Sequence, residues 1–203
     1  MSNSQDTLRQ AYDKYAGERD GSKLADWKFE ERQMYLQSLL ENDLNAILEL
    51  GAGPGRDAAY FAEHRFDVVC VDLSDEMVRL CKEKGLDARQ MDMRELAFED
   101  GEFDSVYAMN SLLHVPKADI GTVLAEVRRV LKPGGLFFWG VYGGESSEGI
   151  WERDGYEPKR FFAMYTDEEL VALAEPLFGV EEFHTVPMGE GSPHFQSLLL
   201  RKR

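Results

Sequence analysis

Ile47-Leu48-Glu49-Leu50-Gly51-Ala52-Gly53-Pro54-Gly55-Arg56-Asp57 ends an apolar strand in closely spaced glycines and turns at once into a helical pattern. Glycine tolerates positive φ and lets the backbone approach a ligand with no side chain between, and the helix that follows offers unpaired N–H groups. The stretch therefore reads as a nucleotide-type ligand loop between a strand and a helix. Its spacing limits the ligand. A dinucleotide fingerprint runs G-x-G-x-x-G/A, and setting Gly51 and Gly53 on its first two glycines puts Arg56 where a small third residue must pack.

Outward from the loop the pattern alternates. Strand one covers Ala46 to Leu50, a helix carries Ala58, Ala59, Phe61 and Ala62, and Val68 to Val71 is an apolar run suited to a strand covered on both faces. Ser74 stands as a helix N-cap, with Asp75 and Glu76 in the first turn where the macrodipole favours acids, and that helix ends near Gly85. Short strands over Leu86–Met91 and Phe103–Met109 follow. Ile120, Val123, Leu124, Val127, Val130 and Leu131 then form a helical stripe, which Lys132-Pro133-Gly134-Gly135 stops before a fifth strand from Leu136 to Tyr142.

The flanks are less regular. Leu8, Ala11, Tyr12 and Tyr15 predict a short helix that breaks at Gly17, and a second helix from Trp27 to Leu40 is expected to bury Phe29, Leu36, Leu39 and Leu40. Residues 143–160, rich in Gly, Glu and Ser, show no periodicity and read as a loop. Thr166-Asp167-Glu168-Glu169 is a capping box opening the last helix, and Phe178–Val186 and Phe195–Leu200 read as two closing strands. Strands alternating with helices imply an α/β fold with a mostly parallel sheet, and the closing pair, joined without a helix, implies an antiparallel edge.

In such sheets ligands bind beyond the carboxyl ends of the strands. The residues found there form one set: the glycines after strand one, Asp72 after strand two, Asp92 after strand three, and Asn110-Ser111 after strand four. An acid ~20 residues beyond the glycine loop suits a ribose diol. Asp92, between Met91 and Met93, suits an exocyclic adenine amine while the methionines pack on the ring.

Glu49-Leu50-Gly51-Ala52-Gly53-Pro54-Gly55, Val71-Asp72-Leu73-Ser74, Asp92-Met93, Phe103-Asp104-Ser105-Val106 and Leu131-Lys132-Pro133-Gly134-Gly135 resemble, in this order, the motifs of class I S-adenosylmethionine-dependent methyltransferases. The resemblance covers roughly residues 45–142 and is looser in Ser111-Leu112-Leu113-His114-Val115-Pro116 and Arg160-Phe161-Phe162, which are similar to the small bacterial enzymes acting on small molecules. It implies a Rossmann-like three-layer sandwich whose seven-stranded sheet has its last strand antiparallel. The cofactor is then S-adenosylmethionine, with Glu49, Gly51, Ala52, Gly53, Gly55, Asp72, Leu73, Met77, Asp92, Met93 and Asn110 as its candidate contacts and no metal. His114 is the candidate catalytic base, and Tyr15, Trp27, His114, Tyr142, Arg160 and Tyr165 are candidate acceptor contacts. Branches that methylate nucleic-acid bases or protein amides carry Asn/Asp-Pro-Pro-Tyr/Phe after strand four. This chain has Asn110-Ser111-Leu112-Leu113 there, which argues against base methylation.

Each feature has a structural alternative. The loop can be a tight connection with no ligand, Asp72 a turn residue before Ser74, Asp92 a cap for the following turn, Glu49 a brace for the loop, and His114 a loop histidine. Two other functions also stay open: a non-catalytic S-adenosylmethionine-binding or partner-binding protein, and an NAD-dependent oxidoreductase, against which Arg56 argues.

Composition narrows the partners. The 203 residues suit one domain: N-terminal helices over the site to residue 44, a cofactor-binding core over 45–142, a possible lid over 143–165, and a C-terminal helix and strand pair over 166–203. With 38 acidic against 23 basic residues the net charge is -15, so nucleic acid is disfavoured, and the only basic cluster is Arg201-Lys202-Arg203. The N-terminal segment lacks a signal-peptide pattern and no apolar run reaches membrane-spanning length, which predicts a cytoplasmic protein with no membrane partner, while a small-molecule acceptor is what the resemblance implies. Cys70 and Cys81 fall at positions for small buried hydrophobes rather than for a disulfide.

Overall fold

A computed structural model describes residues 3–190 and 193–203; Met1 and Ser2, the start of the polar N-terminal segment, lie outside the described residues. Its seven-stranded sheet comprises β1 (Ala46–Leu50), β2 (Asp67–Asp72), β3 (Asp87–Gln90), β4 (Phe103–Met109), β5 (Leu131–Gly143), β8 (Phe178–Val186) and β9 (His194–Lys202), while β6 (Ser147–Ile150) and β7 (Phe161–Met164) form a separate hairpin. The order is β3-β2-β1-β4-β5-β9-β8. Pairing is parallel from β3 to β5, and β9 runs antiparallel to both β5 and β8. The last strand is thus the antiparallel one, as expected, but it lies inside the sheet and β8 forms the edge.

Alternation along the central strands sorts the core onto two faces. Leu48, Val106, Phe137 and Trp139 pack under α5 (Ile120–Val130) and α6 (Asp167–Ala174), whereas Ile47, Tyr107 and Phe138 pack under α2 (Asp26–Glu41) and α3 (Arg56–Glu63). That is the period-two signature of strands buried on both sides. α5 buries its predicted stripe. α2 does not bury all of its own: Leu36 and Leu39 are inside, but Phe29 is 42% and Leu40 59% exposed. The buried side runs through Arg32, Tyr35, Leu36 and Leu39, at i, i+3, i+4 and i+7, so a polar residue takes the place that hydrophobicity alone assigned to Phe29.

Two further expectations change. α1 (Asn3–Gly21) continues through Gly17 for another turn, because no Pro or capping residue stops it there. Segment 143–160 is not a free loop: β6 pairs antiparallel with β7, and Arg160 closes the connection by donating to Asp154 at 2.7 and 2.9 Å. The remaining helix, α4 (Asp75–Glu83), has the predicted cap, with Ser74 Oγ accepting from Met77 N–H at 3.1 Å.

Two of the sequence motifs act at the end of the sheet opposite the glycine loop. Asp104 accepts from the Asn45 and Ala46 amides at 3.1 and 2.8 Å and from Lys132 Nζ at 2.6 Å, fixing where β1 begins. Opposite this point the β4–β5 register slips, and Lys132-Pro133-Gly134-Gly135 bulges out. A Cβ on Gly135 would lie 2.7 Å from the Asp104 carbonyl oxygen. Among the described residues no helix is long and apolar enough to cross a membrane.

These contacts predict that Asp104→Ala strands both amides and the ammonium and lowers the unfolding free energy by about 1–3 kcal/mol, the usual cost of losing charge-assisted hydrogen bonds. Urea titration measures this, and S-adenosylhomocysteine affinity should not change.

Candidate functional site

The three glycines of the loop do different things. All have positive φ: 67° at Gly51, 55° at Gly53 and 75° at Gly55. A Cβ on Gly51 would sit 2.4 Å from Ser111 Cβ, and one on Gly55 would sit 2.8 Å from Cys81 Sγ and Leu86 Cδ1. These two serve packing. At Gly53 the nearest atom is Arg19 Nε at 3.8 Å, so this is the glycine whose open face borders a cavity.

That cavity lies beyond the carboxyl ends of β1, β2 and β4. Its floor is Gly51, Gly53, Asp72, Leu73, Asp92, Met93 and Asn110, which brings together seven of the eleven predicted cofactor contacts; its roof is the underside of α1. Asp72 is the hinge of the floor, with Oδ2 accepting from Gly53 N–H at 2.8 Å and Oδ1 from Ser74 N–H at 2.9 Å. Burial raises its carboxyl pKa, opposed by these amides and by Arg19. An ionised carboxylate has about four lone-pair sites, so two remain for hydroxyl donors. Asp92 is more heavily engaged: Arg94 donates to it at 2.8 Å and Gln5 at 2.7 Å. Burial works against its charge, but these bonds hold its carboxyl below the ordinary range.

The remaining predicted contacts lie elsewhere. Glu49 and Ala52 border a neighbouring cavity with Arg19, Lys28 and Trp27. Glu49 is 4% exposed, and burial followed by the nearby Asp57 pushes its carboxyl well above the usual range, so the neutral acid is favoured. Met77 is fully buried against Ala16 and Leu80, between α1 and α4. Gly55 faces Cys81 rather than solvent.

Asn110 has φ 56°, in the left-handed region, and both atoms of its side-chain amide are buried without a partner; Ser111 Oγ beside it is also unpartnered. Burying an unsatisfied polar group costs about 1–3 kcal/mol. A cradle of one open glycine, one carboxylate with free lone pairs and unpaired amide atoms suits a ligand rich in hydroxyl and amino groups, as S-adenosylmethionine is.

His114 closes one end, on a short 3-10 turn (Leu112–His114) after β4. Its Nδ1 lies 2.8 Å from the Phe161 carbonyl oxygen, which can only accept, so Nδ1 carries the proton and Nε2 accepts from Tyr12 O–H at 2.6 Å. Tyr12 Oη in turn accepts from Arg160 at 3.0 Å, and Arg160 is paired with the buried Asp154. Burial lowers the imidazole pKa to about 3. The chain Asp154–Arg160–Tyr12–His114–Phe161 therefore sews α1 to the β6–β7 hairpin.

On its far side lies another cavity, sharing Tyr12, Arg19, Asn110 and His114 with the first and walled by Tyr142, Trp151, Arg160 and Phe162. Of the predicted acceptor contacts, His114, Tyr142 and Arg160 meet here. Trp27 packs on Phe195 with ring centroids 4.5 Å apart, Tyr15 packs on Tyr156, and Tyr165 is 4% exposed beneath Lys117. Sequence reasoning missed Gln5, Arg19, Lys28 and Arg94. Arg19 follows Tyr12 by seven positions, on the same helical stripe, and was hidden only because the expected helix ended at Gly17. Arg56, which spoiled the dinucleotide fingerprint, donates to the Arg19 and Asp20 carbonyls and to Ser22 Oγ, capping α1 on the glycine loop.

Residues 47–135 match the model of a methyltransferase domain family. The chain is 32% identical over 115 residues to a fatty-acid O-methyltransferase of Mycolicibacterium smegmatis, covering 53% of this chain and 41% of that protein. It is 39% identical over 97 residues to a phosphatidylethanolamine N-methyltransferase of Cereibacter sphaeroides, covering 44% and 46%. In each case the matched stretch is less than half the relative's length. In fold it is similar to a 1,6-didemethyltoxoflavin-N1-methyltransferase of Burkholderia thailandensis solved with bound 1,6-didemethyltoxoflavin and S-adenosylhomocysteine: TM-score 0.76, 23% identity, 100% of this chain and 91% of that one.

The tautomer assignment gives a prediction by nitrogen-detected NMR: His114 stays neutral with Nδ1 protonated from pH 8 to 5. Because its folded pKa lies below the unfolded value near 6.5, the unfolded chain binds the extra proton, and His114 contributes a loss of stability as pH falls below 6.5. His114→Gln should remove that contribution, a slope of at most about 1.4 kcal/mol per pH unit.

Proposed function

From the class I S-adenosylmethionine-dependent methyltransferase domain that this chain carries, we propose that the protein transfers a methyl group to a small-molecule acceptor by in-line displacement. The observation that carries this reading is the pair of adjoining cavities: one floored by Gly53, Asp72 and Asn110, the other walled by aromatic side chains, with Tyr12, Arg19, Asn110 and His114 common to both. A donor and an acceptor held in these cavities meet at that common wall.

The donor, when bound, supplies an electrophilic methyl group on a sulfonium. The chain's own residues do the positioning. The free lone pairs of Asp72 receive hydroxyl donors, the open face of Gly53 admits a ligand against the backbone, and the unpaired amide of Asn110 lies where the cavities join. Tyr12 and α1 above it exclude water, which matters because alignment alone can supply a large share of the rate, with effective molarities up to about 10⁵–10⁸ M in favourable cases.

His114 is a positioning residue in this reading. Its Nε2 lone pair is committed to Tyr12 and the imidazole is a weak base, so it holds the roof in place rather than accepting the acceptor's proton. Acceptors that are nucleophilic as bound, such as a neutral amine or a thiolate, fit a site of this kind. The small bacterial relatives carry both O- and N-methyltransferase names, which supports a small-molecule acceptor without choosing the atom.

Calorimetry with S-adenosylhomocysteine tests the donor site: binding to the wild type and a loss of at least about tenfold, or 1.4 kcal/mol, in Asp72→Ala is the expected result, and unchanged affinity would refute the assignment. His114→Ala should lower turnover only modestly while donor affinity holds. A complete loss of turnover with intact binding would make His114 the base. Tight binding with no transfer to any of a broad acceptor panel would favour a non-catalytic binding protein.

A further inference from the structure

The acceptor-side cavity is positive in a chain whose net charge is -15. Arg19, Lys28 and Arg160 line it and no acid does. Arg160 is neutralised by Asp154 at 2.7 Å. The other two are not. Arg19 donates to Tyr156 Oη at 3.4 Å and lies over the Tyr12 ring at 5.5 Å, and Lys28 Nζ lies 5.3 Å from the Trp27 ring. Among the described residues neither has a carboxylate within 4.0 Å, the reach of an ion pair. The acid that attracts Lys28, Asp57, is already paired with Arg32 at 3.1 Å, and the acid that attracts Arg19, Asp72, is held by the Gly53 and Ser74 amides.

Two half-buried cations that face one cavity repel each other, and burial removes the water that would screen them. Burial, and then Arg19, lower the Lys28 pKa, as this repulsion requires. Such an arrangement is unfavourable until an anion enters. The walls beside the cations, Tyr142, Trp151 and Phe162, are aromatic faces suited to a flat apolar body.

Resting on the methyl-transfer reading above, we propose that the acceptor is an anionic, flat small molecule whose carboxylate or phosphate is held between Lys28 and Arg19 and whose body lies against Tyr142, Trp151 and Phe162. The same cations border the glycine-loop side, and Arg19 also lines the donor cavity itself, so the donor's own carboxylate is the competing source of negative charge.

Saturating the protein with S-adenosylhomocysteine separates the two sources, because the donor's carboxylate is then already in place. Benzoate, indole-3-acetate and phenyl phosphate are titrated against benzamide and indole-3-acetamide, read by tryptophan fluorescence and calorimetry. The anions should bind at least about tenfold more tightly than the amides, as one charge-assisted contact provides. Lys28→Gln should abolish that preference and Lys28→Arg restore it, with S-adenosylhomocysteine affinity within about twofold of wild type throughout. Equal binding of anions and amides overturns the proposal. So does a Lys28→Gln variant that loses S-adenosylhomocysteine affinity instead, since the cations then serve the donor. Failure of wild type to bind S-adenosylhomocysteine at all overturns the methyl-transfer reading beneath it.

Discussion

The hydrogen bond from Gly53 N–H to Asp72, at 2.8 Å, is the contact on which the arrangement of the site depends. It joins the loop after β1 to the end of β2, and the Gly51 and Ala52 amides reinforce the join by donating to the Val71 carbonyl at 2.7 and 3.1 Å. With these ends tied, the chain can leave β1 through residues at positive φ and still start α3 directly. A side chain at Gly51 would drive the loop off Ser111 and separate the floor from β4. One backbone path therefore sets both the opening at Gly53 and the placement of Asn110.

The strands of the sheet were legible because each carries its own signal, whereas their order, with β9 inside and β8 at the edge, was not. Near-continuous apolar runs bounded by Gly, Asp and Ser identify β1, β2 and β4, and the stripe from Ile120 to Val130 could be only a helix. The flanks were harder for a physical reason. Gly17 breaks a helix only weakly, costing about 1 kcal/mol relative to Ala, and packing of α1 across the site outweighs it. The β6–β7 hairpin has almost no pattern of its own; the Arg160–Asp154 pair and its side-chain stacking hold it, and these are contacts between residues that sequence spacing does not relate.

The motifs that gave the resemblance were not all near the site. Phe103-Asp104 and Lys132-Pro133-Gly134-Gly135 meet at the far end of the sheet, where they fix the start of β1 and the β4–β5 slip. They report the fold, while Gly53, Asp72 and Asn110 line the cavity at the other end of the sheet. Asp92 was legible as a residue at the right place, but not that Arg94 and Gln5 would engage it, because Gln5 arrives from a helix remote in sequence.

Floor and roof also have separate origins along the chain. The floor lies within the stretch of 47–135 that matches the domain family, whereas Tyr12, Arg19, Lys28, Tyr142, Trp151, Arg160 and Phe162 all fall outside it. Arg56 is a latch between them, an inside residue gripping the end of α1. A chain built this way is modular: its roof can be exchanged by substitution in two short flanking segments while the floor keeps its geometry. The cavity on the aromatic side can then change its lining while the cavity over Gly53 and Asp72 keeps its shape.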